Sequence, residues 1–168
     1  WLGGFSDISN YKYLKNYDVV NQSWMEPSNL SYSMGLSGFF VGYVDAVSLG
    51  RGGLGTVLVN AAGNERANGA NTSDSVLTNN RAAIVVAGVD LQDAQTLTAK
   101  GLGQYSTQGA NLLVTAASEH LSTTGLQVEN INGSVFGHEE TSVSGTSFAA
   151  PTVSGIVALM LEANPNLG

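Results

Sequence analysis

The chain alternates short uninterrupted apolar runs with longer segments of mixed or helical spacing. Asp18–Val19–Val20–Asn21 is a brief β-branched run and reads as a buried strand. Leu36 to Leu54 is apolar at mixed spacing and ends in Arg51–Gly52–Gly53, the pattern of a helix closed by a glycine C-cap. The next run, Thr56 to Ala61, is continuous rather than alternating, as expected of a parallel strand covered on both faces. It stops at the turn signal Gly63–Asn64, and the segment from Asn64 to Asn80 is polar and loop-like. Ala82 to Val89 and Leu112 to Ala116 are two further buried-strand runs, separated and followed by turns rich in Gly, Ser and Thr. From Ser147 onward Phe148, Val153, Ile156, Val157, Leu159, Met160 and Leu161 fall at helical spacing until Pro165. Alternating helices and continuous strands predict an α/β chain with a mostly parallel sheet.

Composition narrows this picture. With 43% hydrophobic and only 11% charged residues, the chain is globular rather than disordered. Its 21 glycines point to many tight turns and close backbone approaches. A formal net charge of −7 with six scattered basic residues argues against nucleic acid as a partner, because phosphate binding needs a Lys/Arg surface. The absence of cysteine rules out disulfides and thiolate metal sites. No uninterrupted apolar run approaches the roughly 18 to 20 residues of a spanning helix, so no membrane span is expected. The chain opens at Trp1 without Met or a charged leader, which suggests a piece of something longer.

Candidate chemistry concentrates at two places. Ser144–Gly145–Thr146–Ser147–Phe148–Ala149–Ala150–Pro151 opens the last predicted helix. A Ser there can cap the helix, its hydroxyl taking a free backbone N–H. It can also serve as a nucleophile, if small neighbours admit a substrate backbone and free N–H groups face a developing negative charge. Ala61–Ala62–Gly63–Asn64 ends a buried strand, where Asn after Gly is commonly a turn residue with a left-handed backbone.

The run Gly145–Thr146–Ser147–x–Ala149–Ala150–Pro151–x–Val153–x–Gly155 resembles the nucleophile motif of the subtilisin-like serine peptidases, the subtilases, at every defining position. Its continuation, Val157 to Leu167, closely resembles the kexin and bacterial autotransporter branches. The resemblance implies a three-layer subtilisin-like α/β fold of which residues 1–168 are the C-terminal portion, with the N-terminal part of the domain missing. It makes Ser147 the acylated nucleophile and Asn64 the side-chain donor to the oxyanion. Loss of such a donor lowers turnover by roughly 10²–10³ in a subtilisin-type enzyme. Asn21–Gln22–Ser23–Trp24 resembles the strand end that pairs with substrate, although Met25–Glu26–Pro27 follows where the family usually has Gly. Ser23, Trp24, Ala61, Ala62, Gly63 and Glu65 are the substrate-binding positions it implies. A carboxylate at Glu65, aided by Glu26, would favour a Lys or Arg side chain; two solvated loop carboxylates account for them equally well. Gly101 to Ala117 resembles a structural stretch of the family, with Ala117–Ser118 replacing its usual Pro–Gly.

Family triads run in the order Asp, His, Ser, and nothing before Asn64 resembles the Asp or His motif. The first histidine is His120 and the second His138, both in segments that read as solvated turns and not as the general base. The expected whole is therefore a serine endopeptidase whose acid and base lie upstream, and the chain alone is expected to be nearly inactive, since an unassisted hydroxyl is a poor nucleophile. Two other readings share the scaffold: a macrocyclising acyl transferase, and a non-catalytic binding or adhesin module. The partner implied is a polypeptide substrate. A metal is not expected: Asp74 with Asn71, Ser73 and Asn79 is a weak oxygen cluster that calcium could occupy, but a polar loop explains it. The family implies a secreted or cell-surface protein, a free protease or an autotransporter passenger. Strand edges exposed by truncation are expected to pair with another copy.

Overall fold

A computed structural model describes residues 8–24, 37–93, 98–118, 121–124 and 140–168. Strand β1 (Val19–Gln22) follows a 3-10 segment (Ile8–Asn16), and helix α1 (Ser37–Leu49) leads to β2 (Val57–Ala61). Then come β3 (Ala83–Asp93), β4 (Thr98–Leu102), β5 (Leu112–Ala117), β6 (Leu121–Thr124), β7 (Glu140–Val143) and helix α2 (Thr146–Ala163). β1, β2, β3 and β5 are parallel neighbours in that order. β4 runs antiparallel along the far half of β3, and β6 pairs with β7 as a separate antiparallel ribbon.

Three layers result, and β2 shows why. Its side chains alternate across the sheet. Leu58 enters one apolar cluster with Tyr43 and Ala46 of α1, together with Leu14, Val76 and Leu77. Val59 and Ala61 enter the other, with Val86 and with Ala149, Ala150 and Val153 of α2. Both faces are covered, so a continuous apolar run was the right signature for this strand. Gly42 lets α1 lie directly on the 3-10 segment, since a Cβ there would come within 2.5 Å of Tyr11 Cβ.

The predicted elements recur with shifted ends. α1 stops at Leu49, five residues before the predicted close, because Arg51 and Gly52 turn left-handed at φ 50° and 68°. The Arg51 side chain is nonetheless well buried: its Nη1 donates to Gly55 O at 3.2 Å and its Nη2 to Pro165 O at 2.7 Å, joining the end of α1 to the end of α2. β3 continues four residues past Val89, because β4 supplies a partner that sequence did not announce. The polar segment after Asn64 contains two short 3-10 turns and also buries Val76 and Leu77. Asp74 and Asn71 form a reciprocal cap there, Asn71 N donating to Asp74 Oδ2 and Ser73 N to Asn71 Oδ1, each at 3.0 Å. Those acceptors are already engaged by the loop's own amides.

α2 is 18 residues long with mean hydropathy 1.3, which equals the length and composition of a membrane span although the uninterrupted apolar runs are short. One face of it packs on the sheet. Its other face leaves Ile156, Leu159 and Met160 exposed, and the outer edge of β1 has no strand partner among the described residues.

Candidate functional site

The site forms where the carboxyl ends of β1 and β2 meet the start of α2. Gly145 is the N-cap of α2, with φ 142°, so Ser147 is the second helical residue and not the cap. The N-cap residue itself offers no side-chain hydrogen bond to this helix end. The capping explanation of Ser147 is thereby excluded: its hydroxyl donates instead to Ser23 O at 3.0 Å. Ser23 returns the bond, its Oγ donating to Ser147 O at 2.8 Å.

Pro151 explains why Ser147 O is available. A proline has no N–H for the carbonyl four residues back, so the helix leaves Ser147 O without its intrahelical donor. The Ser23 hydroxyl fills that position. Asn21 Nδ2 in turn donates to Ser23 Oγ at 2.8 Å, and Ser154 Oγ donates to Asn21 Oδ1 at 3.1 Å. The end of β1 is thus stitched along two turns of α2.

Asn64 is brought to the same helix start through Thr146. Its Oδ1 accepts from Thr146 N and from Thr146 Oγ1, each at 3.0 Å. Thr146 Oγ1, fully buried, also accepts from Gly63 N at 3.1 Å. With the amide oxygen committed, the Nδ2 donor is the end left over. It faces Gly145 closely enough that a Cβ there would sit 3.4 Å from it. The left-handed turn belongs to Gly63, at φ 97°, and Asn64 has an ordinary negative φ, so a need for left-handed backbone does not account for the asparagine. At the helix N-terminus Thr146 N–H is taken by Asn64 and Phe148 N–H by Gly145 O at 3.0 Å. Ser147 N–H has no partner among the described residues and lies in the helix turn where N–H groups lack intrahelical acceptors.

The other predicted positions fall as follows. Trp24 packs against the α1-side cluster that holds Tyr43 and Leu58. Ala61 and Ala62 are buried, and Ala62 N is used by Val86 O at 2.9 Å. Gly63 O accepts from Thr107 N at 2.9 Å. Glu65 N donates to Thr107 Oγ1 at 3.1 Å, while the Glu65 carboxylate turns onto Asn68 Nδ2. His120, His138 and Glu26 lie outside the described residues.

Beneath the site lies a buried polar network that sequence reasoning did not find. Asn60 points into the α1 side of the sheet, its Nδ2 donating to Tyr43 Oη at 3.1 Å and to Leu77 O at 2.5 Å. Tyr43 Oη donates to Gln22 Oε1. Burial pushes the Tyr43 phenol well above its ordinary value, partly offset by its bonds with Asn60 and Gln22. The network joins the strand ends leading to Ser23 and to Asn64. Its trace in sequence is Asn60, a polar residue inside an otherwise apolar run; Gln22 stands between Asn21 and Ser23 and gives no such signal.

The model of the subtilase family matches residues 2–168. The chain is 34% identical over 164 residues to a dibasic-processing endoprotease of Yarrowia lipolytica, covering 94% of this chain and 16% of that protein. It is 30% identical over 151 residues to kexin of Saccharomyces cerevisiae, covering 89% of this chain and 17% of that protein. It therefore spans less than a fifth of the length of these curated relatives. Its fold is similar to the crystal structure of a cold-adapted subtilisin-like serine proteinase, with a TM-score of 0.62 at 17% identity over 94% of this chain and 47% of that one. A Ser147 hydroxyl at a glycine-capped helix start, an amide anchored beside it and a parallel three-layer α/β scaffold accompany these likenesses, and the chain belongs to the subtilase family.

Proposed function

We propose that the whole protein is a serine endopeptidase that cleaves polypeptides through an acyl-enzyme on Ser147. The attacking hydroxyl gives up its proton to a base, the substrate carbonyl becomes tetrahedral, and its oxygen takes up negative charge. Asn64 Nδ2 and Ser147 N–H are the two neutral donors for that oxygen. The observation that carries this reading is the anchoring of Asn64 Oδ1 by Thr146, which leaves the donor end of the amide for a ligand one residue from the nucleophile. In this state Ser147 Oγ donates to Ser23 O and not to any imidazole of the described residues. Acylation then requires the hydroxyl to turn from that carbonyl to a base supplied outside these residues. The chain by itself is accordingly expected to acylate very slowly.

Labelling with a fluorophosphonate tests the proposal. Whole protein should be labelled, Ser147→Ala should not, and the 168-residue chain should react at a small fraction of the whole protein's rate. Labelling that survives Ser147→Ala overturns the assignment. The mass of products from a peptide substrate separates hydrolysis, which adds water, from cyclisation, which does not. A secreted or cell-surface location belongs to the same proposal and is read by fractionation of the producing cells. Pairing of the open β1 edge with a second copy is read from the sedimentation of the isolated chain.

A further inference from the structure

The loop Gly103–Thr107, after β4, touches both halves of the site without contacting the nucleophile. On one side it holds the backbone around Asn64. Thr107 N donates to Gly63 O at 2.9 Å, Glu65 N donates to Thr107 Oγ1 at 3.1 Å, and Arg66 N donates to Tyr105 O at 3.2 Å. Residues on both sides of Asn64 are therefore hung from Tyr105 and Thr107.

On the other side the same Tyr105 reaches Ser118, a fully buried residue at the end of β5. Tyr105 Oη donates to Ser118 O at 2.8 Å and lies 2.5 Å from Ser118 Oγ. Either hydroxyl can donate across that short contact, and Ser118 Oγ also lies 3.4 Å from Val89 O. Ser118 O accepts a second bond, from Gly145 N at 2.8 Å. One carbonyl oxygen thus joins the Tyr105 hydroxyl to the N-cap of α2, two residues before Ser147. Gly88 shows how closely this assembly is packed. A Cβ at that position would lie 2.1 Å from Ser118 Oγ and 3.2 Å from Tyr105 Oη.

We infer that Tyr105 is a positioning residue for acyl transfer: its backbone fixes the loop bearing Asn64, its hydroxyl fixes the loop that launches Ser147, and together they set the spacing between nucleophile and oxyanion donor. The inference rests on the roles proposed above for Ser147 and Asn64. Small errors in such a spacing are costly in rate, because the donors must match where the oxygen sits in the transition state and not where it sits in bound substrate. Loss of the hydroxyl should therefore lower kcat and leave KM nearly alone.

Three substitutions in the whole protein test this, with kcat and KM on a peptide substrate and a urea midpoint measured for each. Tyr105→Phe should lower kcat about tenfold with KM changed less than about twofold. Ser118→Ala keeps the main-chain carbonyl that accepts from both Tyr105 and Gly145, and should lower kcat by less than about threefold. Thr78→Val removes a buried hydroxyl that donates to Thr72 O away from the site, and should lower the midpoint with kcat unchanged. A Tyr105→Phe enzyme with wild-type kcat overturns the inference. So does a kcat loss reproduced by Thr78→Val, which would mark it as a general consequence of lower stability. Absence of Ser147-dependent activity in the wild type is a different result: it removes the functional reading itself, and this inference with it.

Discussion

Thr146→Val is the substitution that most directly probes how the site is held. Valine matches threonine in shape, so the change removes one oxygen from a fully buried position and little else. That oxygen makes two bonds, accepting from Gly63 N at 3.1 Å and donating to Asn64 Oδ1 at 3.0 Å. Asn64 keeps its second anchor, Thr146 N, so its amide is loosened and not released. Gly63 N–H, in a buried turn, loses its only partner among the described residues, and an orphaned buried donor costs about 1–3 kcal/mol. We expect the whole protein to lose about 2 kcal/mol of stability, read as a lower urea midpoint at unchanged slope. Acylation by a fluorophosphonate should slow about tenfold, less than the roughly 10²–10³ expected when an oxyanion donor is deleted outright. Thr146→Ser retains the oxygen and should label at close to the wild-type rate, with a small stability loss from the missing methyl. Wild-type labelling by Thr146→Val alongside slow labelling by Asn64→Ala would refute the reasoning, because the amide would then act without its anchor.

Three further outcomes follow from the same geometry. Asn64→Asp preserves an acceptor for Thr146 but replaces the donor with a charged oxygen; turnover should fall by at least roughly 10²–10³ while the unfolding free energy from urea titration changes by less than about 1 kcal/mol. Gly145→Ala puts a side chain on a residue at φ 142° and a methyl 3.4 Å from Asn64 Nδ2, so it should destabilise by about 1–3 kcal/mol and slow labelling as well. The Tyr43 phenol is raised by burial, so above about pH 10 the unfolded chain releases a proton that the folded chain keeps. Its contribution to stability is complete below that pH and declines as pH rises further. Tyr43→Phe should remove this alkaline decline while costing about 1–3 kcal/mol at neutral pH, because Gln22 Oε1 loses its phenol donor and Asn60 keeps only its bond to Leu77 O of the two its Nδ2 made, and urea titrations at pH 7 and pH 10.5 read both effects.

Much of this protein is written locally in its sequence. β2 and the middle of β3 are continuous apolar runs because both faces of the sheet are covered there, and that demand acts on each residue separately, whereas the similar run in β5 was expected to be buried and leaves Leu113 and Val114 exposed. Helix α2 likewise shows in the spacing of its apolar residues, and the motif around Ser147 is contiguous. Boundaries were less legible. β3 runs on past Val89 because β4 returns to pair with it, and α1 ends early where Arg51 and Gly52 turn left-handed, with the Arg51 side chain bonded to Gly55 O and to Pro165 O at the far end of the chain. What holds the site was settled only by tertiary structure. Ser23 meets Ser147 O because Pro151 withholds a donor, Thr146 binds Asn64 across 82 positions, and Tyr105 and Ser118 carry the support to Gly145. A hydrogen bond between distant residues leaves no periodicity in either segment, so no pattern along the chain could announce it. Sequence determined which groups are present, and packing decided which of them face one another.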